Sequence, residues 1–245
     1  MADGHYAEIM LPASNVFNFR QFGARTSEQN IDDSGVRTDC KSYILKYLDY
    51  VNKKGVISTL IIPGGIWQFS PTDLSSNVGF RIIGENTQSA LMPGKTAIVP
   101  MSGATQSYVW KISGKNINIG QLDFTNQSTG LGSLFQMGAT IINDSQHRTY
   151  QDATCYRSII IDGVTNSTFS SLYFTFMQNA LDISNTTNTY FGFLNIRLAG
   201  GKFNNVRSVI RIGDNVEGVY FDYLNAEGIR GNVFYGYGTD INAPT

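Results

Sequence analysis

Four stretches of this chain share one spacing: an apolar residue, two free positions, a leucine, one free position, an apolar or small residue. They are Ile119–Phe124, Phe169–Phe174, Phe191–Ile196 and Phe221–Ala226. A second motif keeps step with the first. Trp110-Lys111-Ile112 recurs as Phe135-Gln136-Met137, Ile159-Ile160-Ile161, Leu181-Asp182-Ile183 and Ile210-Arg211-Ile212, each followed by Gly, Ser, Asn or Asp. Self-similarity at intervals of a few tens of residues marks a solenoid. Apolar-x-apolar alternation reads as a strand with one buried face, and the turn residues tolerate positive φ. The pattern predicts an all-β solenoid, a parallel β-helix, whose coils stack at about the 4.7–4.9 Å spacing of adjacent strands. The uneven interval between units argues against a leucine-rich horseshoe.

Composition agrees. Charged residues are 15% of the 245, with 25 glycines and 42% hydrophobic residues, which suits strands and turns around a sizeable core. A net charge of −1 gives no basic footprint for nucleic acid, and no apolar run is long enough for membrane insertion. The N-terminal residues lack the basic and apolar regions of a secretory leader. Such a chain is expected to be made in a cytoplasm, or to have lost a leader. Cys40 and Cys155 are too few for a disulfide framework.

Residues 1–15 read as an N-terminal arm and residues 16–245 as one domain. Phe17-Asn18-Phe19 alternates as a strand. Thr38 is placed to cap a helix over about 38–54, where Ile44, Tyr47, Leu48 and Val51 form one apolar stripe and Lys53-Lys54-Gly55 ends it. That helix is suited to cover the open end of a stacked solenoid. Strands are expected at Ser58–Ile62, Ile66–Phe69 and Val78–Ile83, and a protruding loop at about 139–157.

The N-terminal residues resemble a known family. Phe19-Arg20-Gln21-Phe22-Gly23-Ala24, Thr38-Asp39 before a helix, Leu60-Ile61-Ile62-Pro63-Gly64-Gly65-Ile66-Trp67, and Asn77-Val78-Gly79-Phe80-Arg81-Ile82-Ile83-Gly84 are similar to the signature of the pectate-lyase-like right-handed β-helix superfamily. Bacteriophage tailspikes and capsular depolymerases carry it. Here Cys40 replaces the second aspartate of the helix start and Trp67 the usual tyrosine. Family depolymerases usually run much longer, so the chain is expected to be a fragment or a reduced spike. The resemblance implies a virion tail protein that recognises host surface polysaccharide, packs as a parallel homotrimer and contacts other phage tail proteins. It extends equally to lyases, hydrolases and inactive adhesins, since fold alone does not fix function.

Chemistry on such a scaffold sits on outward columns of side chains. The residues after the repeat leucines, Asp123, Tyr173, Asn195 and Asn225, would offer donors, acceptors and an aromatic face to a sugar. A second column is Lys111, Gln136, Ile160, Asp182 and Arg211, in which Asp182 and Arg211 are one coil apart and able to pair. A third, Gln121, Ser171, Phe193 and Tyr223, turns aromatic, and with Ile160 it suggests a partner surface. Glycoside hydrolysis needs two carboxyl groups; Asp222 and Glu217 are the leading candidates, the first outward on a strand and the second in the turn before it. Lys202 and Arg207 lack the acidic cluster that a lyase would use to hold calcium. His5 and His147, the two histidines, are far apart and support neither a metal site nor a triad. No cofactor is expected. Pro93-Gly94-Lys95-Thr96 imitates a phosphate loop but lacks its first glycine and its helix.

Overall fold

The computed structural model describes residues 15–26, 38–85, 96–101, 106–125, 155–175, 179–186, 194–204, 206, 208–213, 215–229 and 231–236. The chain is mostly β, with large parallel sheets and a single α-helix among the described residues. Its strands form three parallel ladders, in which each strand pairs with its counterpart one repeat later.

The first ladder runs through β1 (Val16–Asn18), β2 (Thr59–Ile62), β5 (Arg81–Gly84), β8 (Asn118–Gly120), β11 (Ser167–Ser170) and the first halves of β14 (Ile196–Asn204) and β16 (Val219–Glu227). The second runs through β3 (Gly65–Phe69), β6 (Thr96–Pro100), β9 (Asp123–Thr125), β12 (Tyr173–Thr175) and the second halves of β14 and β16. The third is β4 (Thr72–Ser76), β7 (Gln106–Lys115), β10 (Cys155–Thr165), β13 (Asn179–Ser184), β15 (Ser208–Ile212) and β17 (Phe234–Gly236).

Register places like residues over like. Phe17, Leu60, Ile82, Ile119, Phe169, Leu198 and Phe221 form one column, and all but Phe221 are buried. Trp67, Ile98, Phe124, Phe174 and Phe203 form another. Aromatic rings link the rungs through the core: Trp110 meets Phe124 at 5.2 Å, Phe124 stacks on Phe174 at 5.5 Å, and Phe174 on Phe203 at 5.2 Å. Each such pair contributes about 0.5–1.5 kcal/mol beyond its area.

The helix α1 (Lys41–Lys54) buries the expected stripe of Ile44, Tyr47, Leu48 and Val51. It packs on β4 and on the 3-10 turn Phe19–Phe22. The Tyr47 hydroxyl donates to the Ser58 carbonyl at 2.6 Å, tying the helix to the strand region it covers. Gly55 closes the helix in the left-handed region, its N–H donating to Val51 O at 2.9 Å. The start differs from expectation. Cys40 occupies the N-cap without a side-chain capping bond to the helix, and Asp39 accepts instead from the N–H groups of Lys41 and Ser70, both at 3.0 Å.

One repeat assignment needs correction, and another, the unit expected at Phe135–Met137, lies outside the described residues; β7 pairs directly with β10. The Phe191–Ile196 unit is out of register. The rung that pairs with Phe169 and Phe174 uses Leu198 and Phe203, with Gly201 opposite Leu224 where a leucine was expected.

Candidate functional site

Strand β10 brings the chemistry-bearing residues of the third ladder together. Its neighbours set one outward column of Asp73, Lys111, Ile160, Asp182 and Arg211, and a second of Tyr108, Arg157, Asn179 and Ser208. The expected Asp182–Arg211 contact is present, with Arg211 Nη1 donating to Asp182 Oδ2 at 3.3 Å. It belongs to a larger group. Arg157 Nε lies 3.2 Å from the same oxygen, and Lys111 Nζ lies 3.0 Å from Asp162 Oδ2.

Burial divides this group by charge. The side chains of Asp162 and Asp182 are 2% and 1% exposed, whereas those of Lys111, Arg157 and Arg211 are 33%, 36% and 21% exposed. Two sunken carboxylates therefore hold three cations that reach the surface. Burial pushes the Asp162 carboxyl up, but Thr186 and Lys111 outweigh it and hold the group below its usual range. Thr186 supplies two bonds, its N–H at 2.8 Å and its hydroxyl at 2.7 Å. Charge-assisted bonds to a buried anion are among the stronger ones available, so the cations are fixed before any ligand arrives. Asp73 closes the β4 end of the strip, accepting from the Tyr108 hydroxyl at 2.6 Å. Burial and then that bond push the Tyr108 phenol up to about 12, so it stays a donor.

A groove of about 440 Å³ continues the strip along the strands, lined by Ser75, Ser76, Asn77, Ser113, Lys115 and Thr165 among others. Gly114 at φ 118° makes its floor possible: a Cβ there would collide with the Ser76 carbonyl. The volume lies within the range of ligand sites, about 300–1,000 Å³, and the lining is rich in hydroxyls.

The residues expected to bind sugar are distributed differently. Asp123 and Tyr173 do share a column, but it continues through Lys202 to Asn225, so Asn195 is not in it. Asp123 is fully buried and Tyr173 nearly so, which removes both from an open binding strip. Lys202 lies over the Tyr173 ring, 5.8 Å from its centroid. Asn195 occupies a left-handed turn at φ 52°, and its amide donates to the Asn166 side chain at 3.0 Å. Asn225 is half-buried on the last rung of the first two ladders.

Of the catalytic candidates, Asp222 is exposed and held by Arg197, whose Nε and Nη2 both approach Oδ2 at 2.5 Å. Glu217 is exposed in the segment before β16. No contact between the two acids is present. Of the partner residues, Tyr223 is 78% exposed but Ile160 is 8% exposed and therefore not a surface residue. Phe193 lies outside the described residues, and its expected place in the column belongs to Gly200, opposite Tyr223.

Tyr108, Arg157, Asp162 and Lys115 were missed by sequence reasoning. A phase slip hides the first two. Val109 and Trp110 are both buried, as are Ser158 and Ile159, so strict alternation would have put Tyr108 and Arg157 inside.

No family profile matches the chain, and no curated protein matches it in sequence. Among solved structures, it is similar to a "putative glycosyl hydrolase" from Parabacteroides merdae ATCC 43184, at 15% identity and TM-score 0.47, covering 94% of this chain and 98% of that one. It is similar to ORF18 of Geobacillus virus E2 at 12% identity and TM-score 0.42, covering 93% of this chain and 43% of that one. The Agl-KA catalytic domain follows at 11% identity and TM-score 0.32, with 94% and 48% covered.

Proposed function

We propose that this chain is a tailspike-like virion protein that attaches to a phage tail and recognises host surface polysaccharide on the outer face of the third ladder. In this reading the three ladders wind as one right-handed parallel β-helix, residues 16–245 form one domain, and the arm of residues 1–15 with the α1 cap docks to other tail proteins. The observation that carries it is the pre-organised strip of Lys111, Arg157 and Arg211, fixed by buried Asp162 and Asp182, with Tyr108 held by Asp73. Beside it runs the hydroxyl-lined groove. Fixed donors and an aromatic ring over several rungs suit a long hydroxyl-rich ligand, and fixing them beforehand lowers the ordering cost of binding.

The test is binding of the purified chain to an immobilised panel of bacterial lipopolysaccharides and capsular polysaccharides. Specific binding to some of the panel, lost in a Tyr108→Ala, Arg211→Ala double variant that remains folded, is the expected result. No binding anywhere on a broad panel would favour a purely structural tail component. A glycan depolymerase on the same scaffold is the alternative, with exposed Asp222 and Glu217 as its acids. It requires that an Asp222→Ala, Glu217→Ala variant keep its fold and lose cleavage.

A further inference from the structure

We infer that the third-ladder face selects polysaccharides whose repeats carry anionic groups. The inference rests on the reading of this face as a glycan site and specifies the class of glycan it takes. Four cations stand along it: Lys111 and Lys115 on β7, Arg157 on β10 and Arg211 on β15. Among the described residues, two of the three carboxylates near them, Asp162 and Asp182, are sunk beneath the surface at 2% and 1% exposure. The third, Asp73, lies at the β4 end and is engaged by Tyr108. From β7 to β15 an approaching ligand therefore meets cationic heads, while the balancing negative charge lies below them.

Geometry sharpens the class. Lys111 and Arg211 are separated along the strand stack by β10 and β13, which at about 4.8 Å per rung is roughly 14 Å. Arg157 lies between them. Charges spaced this way along the axis match a polymer that carries an anionic group at intervals better than one small anion. Guanidinium groups also favour the planar, two-oxygen geometry of carboxylates and phosphates. The neutral part of each repeat would then lie against Tyr108 and the hydroxyls of Ser75, Ser113 and Thr165.

The experiment measures binding to a panel that pairs acidic polysaccharides (uronate-, sialate-, phosphate- or sulfate-bearing) with neutral ones of similar length. It is run at about 0.02 M and about 0.5 M salt, where screening differs strongly. Binding confined to acidic members, weakened tenfold or more by the higher salt, is expected. Carboxyl reduction or methyl esterification of a bound uronate or sialate polymer should abolish it. Survival of binding after that change, with loss on desulfation or dephosphorylation, would identify the anion as sulfate or phosphate. Lys115→Gln, at an exposed position, should weaken acidic-glycan binding several-fold without altering thermal stability. Salt-insensitive binding confined to neutral glycans overturns this inference and leaves polysaccharide recognition standing. Absence of binding to either class overturns both.

Discussion

Asp182 pairs with Arg157 and Arg211 on the rungs to either side of it, so one carboxylate clamps three strands. Both arginines remain partly exposed and can rehydrate when the anion is removed. Asp182→Ala is therefore expected to cost about 1–3 kcal/mol, less than breaking a fully buried pair, as measured by urea denaturation. Asp162 makes stability depend on acid. Its folded pKa lies below the ordinary value of 3.8, so its contribution is present above that value and lost as pH falls through the folded pKa. Asp162→Asn should flatten the fall in melting temperature between about pH 5 and about pH 2.5. Cys40 is buried, and burial, then the nearby Asp39 charge, push its thiol up to about 12. It should resist a thiol reagent in the native protein and react only on unfolding. Asn195 stands in a turn, outside the column expected of it. Its type suits sugar binding, but Asn116, Asn166 and Asn195 all stand at positive φ just before first-ladder strands, a backbone position asparagine tolerates. Polarity alone does not separate a turn residue from a ligand contact.

Four of the six third-ladder strands, β7, β10, β13 and β15, were legible from the triplet motif. Trp110, Ile159, Leu181 and Ile210 align as the motif requires, because an apolar-x-apolar triplet before a turn has one register that keeps its face buried. The α1 stripe was legible for the same reason at helical period. The Leu198–Phe203 rung was not, because Gly200 and Gly201 occupy its corner and erase the leucine that marked the other rungs. Phe191–Ile196 then supplied a false match nearby. Asp123 failed differently. Alternation gives the direction of a side chain, while burial depends on what lies over the strand, and no local pattern encodes that. At this scale the aromatic stack is the feature to perturb. Phe174 lies between Phe124 and Phe203 at 5.5 and 5.2 Å and is fully buried. Phe174→Ala should cost about 3–5 kcal/mol, whereas Asn225→Ala on the last rung should cost under about 0.5 kcal/mol.

At the scale of the molecule, the two ends of the stack differ. Helix α1 and the Phe19–Phe22 turn pack over the N-terminal rungs. At the other end Tyr220, Phe221, Tyr223 and Phe234 are exposed, and Phe221 meets Phe234 at 5.3 Å. The tailspike reading predicts a homotrimer, so light scattering should give about three times the chain mass of 27.0 kDa; a stable monomer would count against that assembly. The proposed glycan site lies on the third ladder, and polysaccharide binding by two variants against wild type locates it. One carries Tyr108→Ala with Arg211→Ala on the third-ladder face, and the other carries Tyr223→Ala with Asn225→Ala on the last rung. Loss in the first and retention in the second is the predicted result. Retention in the first with loss in the second would overturn a third-ladder site and move it to the exposed end of the stack.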